Sequence, residues 1–140
     1  MKKFLVAFLL LLFSFSSISY GEAPDPAKWH YSSSGAGRSY YLYIPDLQEA
    51  NKIYTNNKNS KIFTIWTLVK SSDGSSVKAQ DSFDLSSNRK VKILTIINYD
   101  KKGKVTNSYD TSKSGRWRVV PPDTILEKLY DDVVKWVKSE

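Results

Sequence analysis

Ten residues in the middle of the chain, Lys61-Ile62-Phe63-Thr64-Ile65-Trp66-Thr67-Leu68-Val69-Lys70, limit the possible folds more than any other stretch. They are rich in β-branched and aromatic side chains, contain neither Gly nor Pro, and carry a lysine at each end. Such a run suits a pleated strand. Alternation puts Ile62, Thr64, Trp66 and Leu68 on one face and Phe63, Ile65, Thr67 and Val69 on the other. Both faces are largely apolar, which predicts a central strand at least partly covered on both sides.

The flanking residues supply neighbours for it. Ser71 to Ser76 reads as a turn around Asp73-Gly74. After it Val77, Ala79, Phe83 and Leu85 alternate with Lys78, Gln80, Ser82 and Asp84, the pattern of a half-solvated antiparallel strand. Asp81 falls on the apolar side, with no reason visible in the sequence. From Arg89 to Tyr99, Val91, Ile93, Thr95, Ile97 and Tyr99 share one expected face, with Lys92, Leu94, Ile96 and Asn98 on the other. A turn at Asp100 to Lys104 leads to a strand over Val105 to Tyr109. A polar loop, Asp110 to Gly115, then precedes a short strand at Arg116 to Val120, on which Arg116 and Arg118 would share a face.

Upstream, Trp29-His30-Tyr31 opens a first strand and Ser32 to Gly37 reads as a flexible connection. Its two glycines match neither a dinucleotide fingerprint nor a Gly-Lys-Ser/Thr phosphate loop. Ser39 to Ile44 is a second strand, stopped at Pro45; Asp46 to Ala50 suits a helical turn, and Asn56 to Ser60 a polar loop. Short turns between successive strands predict an antiparallel meander of about six strands.

Pro121-Pro122 ends the sheet, and Thr124 with Glu127 fits a capping box at the start of a helix. Leu126, Leu129, Tyr130, Val133 and Val137 form one apolar stripe with Trp136 on its shoulder, while Asp131, Asp132, Lys135 and Lys138 face water. A helix of about 15 residues with one apolar side must lie on something. The Trp66 face of the central strand is the expected seat, with Trp66 against Leu126, Leu129 and Val133. The fold class is therefore α+β, a single domain over residues 22–140 with the C-terminal helix packed on one face of the sheet.

Residues 1–19 belong to a different category. Met1-Lys2-Lys3 is positive, Phe4 to Phe13 is wholly apolar, and serines follow. This is the signature of a Sec signal peptide cut after Ser19 or Gly21. The apolar run is far short of the roughly 20 residues that a membrane-spanning helix needs, so no transmembrane anchor is expected. Export predicts a periplasmic or cell-surface location and a soluble mature chain. The protein has no cysteine, so neither a lipid-bearing Cys nor a disulfide supports it. The formal charge of +7 falls to +5 without Lys2 and Lys3. A basic exported domain favours anionic surfaces such as lipopolysaccharide, sulfated glycans or acidic protein patches, and nucleic acid is not an expected partner outside the cytoplasm.

The order of these pieces resembles the surface-adhesin protein E family of small exported Gram-negative proteins. The resemblance is carried by Trp29, Tyr40-Tyr41, Trp66-Thr67-Leu68, Ser82-Phe83-Asp84 and Arg89-Lys90-Val91-Lys92, then by Tyr109, Trp117 and Pro121-Pro122-Asp123-Thr124 before the helix. It covers most of the mature chain and implies an antiparallel sheet with a C-terminal helix against one face. It also implies a cysteine pair that this chain lacks: Leu85 and Val133 or Val134 stand at those positions. A hydrophobic contact between helix and sheet would replace the disulfide.

Catalytic chemistry is not expected. Asp131 and Asp132 are adjacent on a helix and do not face each other, while Asp81 and Asp84 alternate onto opposite faces. His30 is the only histidine, no serine sits in a nucleophile elbow, and no metal-ligand cluster or cofactor motif is present. The candidate ligand-binding residues are basic. Lys101, Lys102 and Lys104 crowd one hairpin tip, and Arg89, Lys90 and Lys92 lie at the other end of the same strand. The expected function is that of an exported, non-enzymatic, adhesin-like binding domain for host extracellular-matrix protein or anionic glycan. The alternative is a periplasmic housekeeping protein that binds a small apolar ligand between helix and sheet or supports envelope assembly. A free sheet edge would also suit a homodimer or docking as an accessory subunit.

Overall fold

The computed structural model describes residues 23–140; the signal-peptide reading and both of its cut sites lie outside the described residues. Strands β1 (Trp29–Gly35), β2 (Arg38–Tyr43), β3 (Ile62–Ser71), β4 (Ser76–Asp84), β5 (Lys90–Tyr99) and β6 (Val105–Asp110) form one antiparallel sheet in chain order. A two-residue strand, β7 (Arg118–Val119), pairs with the start of β5. Helix α1 (Ile44–Asn56) interrupts the meander between β2 and β3, and α2 (Ile125–Val137) closes the chain. The α+β class and the antiparallel meander stand as read from the sequence.

The serine run that reads as a connection is strand. β1 continues to Gly35 through a bulge at Ser32, and only Ala36 and Gly37 turn the chain. Both have positive φ (54° and 75°), which gives a two-residue turn whose twist matches the strands it joins. Serine tolerates an edge strand, so composition alone did not separate strand from loop. The helical turn expected at Asp46 to Ala50 is one part of a 13-residue helix. Because β2 turns into α1 after Tyr43, Trp66 loses a strand partner; the Asp46 carboxylate accepts its N–H at 2.8 Å.

Both helices contribute to one core on a single face of the sheet. Leu42, Phe63, Ile65, Phe83 and Val91 from the strands meet Leu47 and Ala50 from α1 and Leu129, Tyr130, Val133 and Val137 from α2. Each fully buried side chain of this size contributes roughly 1.5–3 kcal/mol. This overturns the expected seat of α2: the helix side of β3 is the Phe63–Ile65 face, and Trp66 stands on the opposite one. The register explains why. The β3–β4 turn sets Val69 opposite Val77, Thr67 opposite Ala79 and Phe63 opposite Phe83, so the apolar side of β4 selects that face of β3.

A second correction concerns β5. Gln80 pairs with Thr95 but Asp81 pairs with Ile93, which leaves Leu94 as an extra residue in a bulge. Val91 and Ile93 therefore share the core side with Asp81 and Phe83, while Thr95, Ile97 and Tyr99 turn to the other face. The last strand is shorter than expected and excludes Arg116, so the proposed Arg116–Arg118 alternation does not form.

Helix α2 is held at both ends. Thr124 Oγ1 accepts the N–H of Glu127 at 3.2 Å, as expected of the cap, whereas the Glu127 carboxylate accepts from Asp123 N at 3.2 Å. At the far end Asn51 of α1 donates to the carbonyls of Trp136, Val137 and Ser139, at 3.3, 3.0 and 2.8 Å. Tyr130 donates its hydroxyl to Asp84 O at 2.6 Å and fastens the middle of α2 to the end of β4. Leu85, next along, belongs to the same core as Val133, with Val134 packed at its margin. No helix of the described residues is long and apolar enough to cross a membrane.

Candidate functional site

The meander brings three hairpin turns to one end of the sheet. Ser72 N donates to Gly37 O at 2.8 Å, which joins the β1–β2 and β3–β4 turns. A Cβ on Gly74 would lie 3.7 Å from that of Lys101, so the β5–β6 turn abuts the second. Five cations stand at this end, Arg38, Lys70, Lys101, Lys102 and Lys104, against the carboxylates of Asp73 and Asp100.

Both carboxylates are occupied by their own turns. Asp100 Oδ1 accepts the N–H groups of Lys102 and Lys104, each at 2.9 Å, and Gly103 completes the turn at φ 80°. The Lys104 N–H bond, followed by that of Lys102 and the charges of both lysines, holds the Asp100 carboxyl below its ordinary value. Asp73 is lowered first by the Ser75 hydroxyl, which donates to it at 2.6 Å, and then by the Ser75 N–H. The carboxylates are engaged by donors of their own turns, and Lys101, Lys102 and Lys104 are exposed. A cleft of about 490 Å³ lies beside the first two turns, lined by Ser34, Arg38, Tyr41, Lys70 and Ser72 among others.

Arg89, Lys90 and Lys92 do not join this cluster. They lie at the opposite end of ten-residue β5, on the order of 30 Å away at the rise of an antiparallel strand. Arg89 has φ 49°, places Nη2 2.8 Å from Asp131 Oδ1, and holds its guanidinium 4.6 Å from the centroid of Tyr130. It clamps α2 to the β4–β5 turn. Lys90 sits opposite Asp84 in the ladder, and the Lys92 side chain runs past Gly115.

His30 lies at the other edge, 3.7 Å from Asp132 and edge-on to Trp136 at 5.4 Å. Together with Lys135 they line an open cleft of about 550 Å³ between β1 and α2. Among the described residues no three His, Cys, Asp or Glu side chains gather as a metal site would require.

Sequence reasoning missed the face of the sheet that carries no helix. By register and alternation it holds Trp29, Tyr31, Tyr41, Tyr43, Trp66 and Tyr99. Trp29 and Tyr43 are 4.9 Å apart and Tyr31 and Tyr41 5.7 Å, centroid to centroid. The Lys78 ammonium lies 5.8 Å from Trp29 and 5.2 Å from Tyr99. The density of aromatics before Tyr43 was the available signal; the bulge at Leu94, which delivers Tyr99 to this face, leaves none. Comparison with protein-family models, curated proteins and solved structures finds no match to this chain.

Proposed function

We propose that this is an exported, non-enzymatic binding domain of the adhesin E type, and that it contacts an anionic glycan through the hairpin end of its sheet. The observation that carries the reading is the convergence of Arg38, Lys101, Lys102 and Lys104 while Asp73 and Asp100 accept hydrogen bonds from their own turns. Several cations on rigid turns make a multivalent contact that salt screens. A flexible polyanion suits the dispersed charges better than a folded protein partner, which would need an apolar centre to its interface. The closed seam between helices and sheet weighs against a small apolar ligand there: Leu42, Ile65, Phe83, Val133 and Val137 have no exposed surface.

The test replaces Lys101, Lys102 and Lys104 with Glu and measures retention on immobilised heparin across a salt gradient. The expected result is elution at much lower salt. Unchanged elution removes the hairpin end from the reading.

A further inference from the structure

We infer that the helix-free face of the sheet is a stacking platform for the sugar rings of an acidic polysaccharide. This deepens the preceding reading, on which it rests for the ligand's charge. A sheet face left to water normally carries polar side chains. Here six aromatic residues stand on it; Tyr31 is half-exposed and the other five are half-buried. They are drawn from β1, β2, β3 and β5, a breadth of roughly 19 Å at the usual strand spacing. Their rings offer apolar surface on which the C–H faces of sugars can lie. Gln80, Thr95, Ser39 and Ser76 share the face and supply hydrogen-bonding groups between them.

The charge on the face selects an anionic polymer. From β1 to β5, the rows running from Trp66 to Lys70 set Lys78 among the rings with no carboxylate beside it, and the carboxylate of Asp110, opposite Thr95 in β6, accepts from Ser112. Lys78 is held between Trp29 and Tyr99, where the ring faces fix its ammonium without neutralising it. A uronate carboxylate could meet it while the neighbouring sugar lies on a ring. The same charge argues against a second copy as the occupant, because two-fold pairing of this face would bury the Lys78 of both copies in one interface. Among the rings the aliphatic side chains offer little surface, with Leu68 6% exposed and Ile97 half-buried, and the exposed Ile62 and Val105 lie at the margins of the face.

The experiment titrates the protein with polygalacturonate, with neutral dextran as control, and follows binding by interferometry and tryptophan fluorescence. Tyr31→Ser and Lys78→Gln, both outside the core, are each expected to weaken binding about tenfold or more, with no such effect from Trp117→Ala. The Lys101/Lys102/Lys104→Glu variant separates the two readings. Loss of binding there, with Tyr31→Ser and Lys78→Gln unaffected, overturns the platform and leaves the hairpin end standing. Equal binding of dextran overturns the acidic ligand class. Binding only to anionic lipid vesicles, or a dimer abolished by Tyr31→Ser, assigns the face to another occupant and likewise overturns it.

Discussion

The Arg89 guanidinium reaches from the β4–β5 turn to Asp131 on α2, 2.8 Å away, and spends on the fold a charge that the sequence offers to a ligand. Both side chains are about half-exposed, at 43% and 56%. An ion pair of that exposure contributes about 0.2–1 kcal/mol, and the stacking on Tyr130 adds roughly 0.5–1 kcal/mol. Arg89→Ala is therefore expected to lower the unfolding midpoint modestly, with part of the loss disappearing in high salt. Asp131→Asn should leave heparin retention unchanged. Retention that falls with Arg89 by as much as with the hairpin lysines would return Arg89 to the binding surface.

Asp81 gives the fold a dependence on pH. It is 7% exposed; Thr67 Oγ1 donates to its Oδ2 at 3.1 Å and its Oδ1 has no hydrogen-bond partner. Burial raises its carboxyl from 3.8 to about 7, against the opposing effect of the Thr67 bond. Between those values the native state binds a proton that the unfolded chain has released, so stability falls as pH rises. The gain is complete below about 4 and lost through about 7, with an upper bound on the order of 4 kcal/mol. Urea unfolding at pH 5 and pH 8 should show wild type markedly weaker at pH 8. Asp81→Asn should lose most of that difference, and an equal slope in both proteins would contradict the assignment.

What the sequence allowed, and what it did not, turns on alternation. Strands with one apolar side, such as β4, were legible because their period matches their burial. β3 was ambiguous: both of its faces are apolar, and the size of Trp66 favoured the wrong one. The turn at Asp73-Gly74 held the answer, since it sets Val69 opposite Val77 and so ties the Phe63 face to the apolar side of β4. The bulge at Leu94 was beyond reach, because one extra residue inverts a face without leaving a composition signal. The hairpin lysines were legible one by one. Their convergence with Arg38 and Lys70 depends on which turns share an end, and that is a property of the whole meander.

The corrected face of β3 makes a paired prediction. Ile65 has no exposed surface and lies in the core, so Ile65→Ala should cost about 2–5 kcal/mol. Trp66 is half-buried on the helix-free side and outside that core, so Trp66→Ala should cost less despite removing a larger side chain. Chemical denaturation of the two variants decides it. A greater loss from Trp66→Ala would put the helices on the other face.

Asn51 supports the C-terminal end of α2 from a neighbouring helix. Its Nδ2 is shared among the carbonyls of Trp136, Val137 and Ser139; Trp136 O also accepts from the Ser139 hydroxyl at 2.7 Å, so the cap matters most to the Val137 and Ser139 carbonyls at the helix end. Asn51→Ala removes the donor and should cost roughly 1–3 kcal/mol, the range for stranded, partly buried acceptors. Asn51→Asp should cost more at neutral pH, because a carboxylate of the same shape brings charge against those oxygens and donates nothing. Hydrogen exchange should report the damage locally, with faster exchange in the last turn of α2 and little change in β3 and β4. If Asn51→Asp matches wild type in both stability and exchange, the cap contributes nothing and α2 is held by its apolar stripe, Tyr130, the Thr124 cap and the Arg89 clamp.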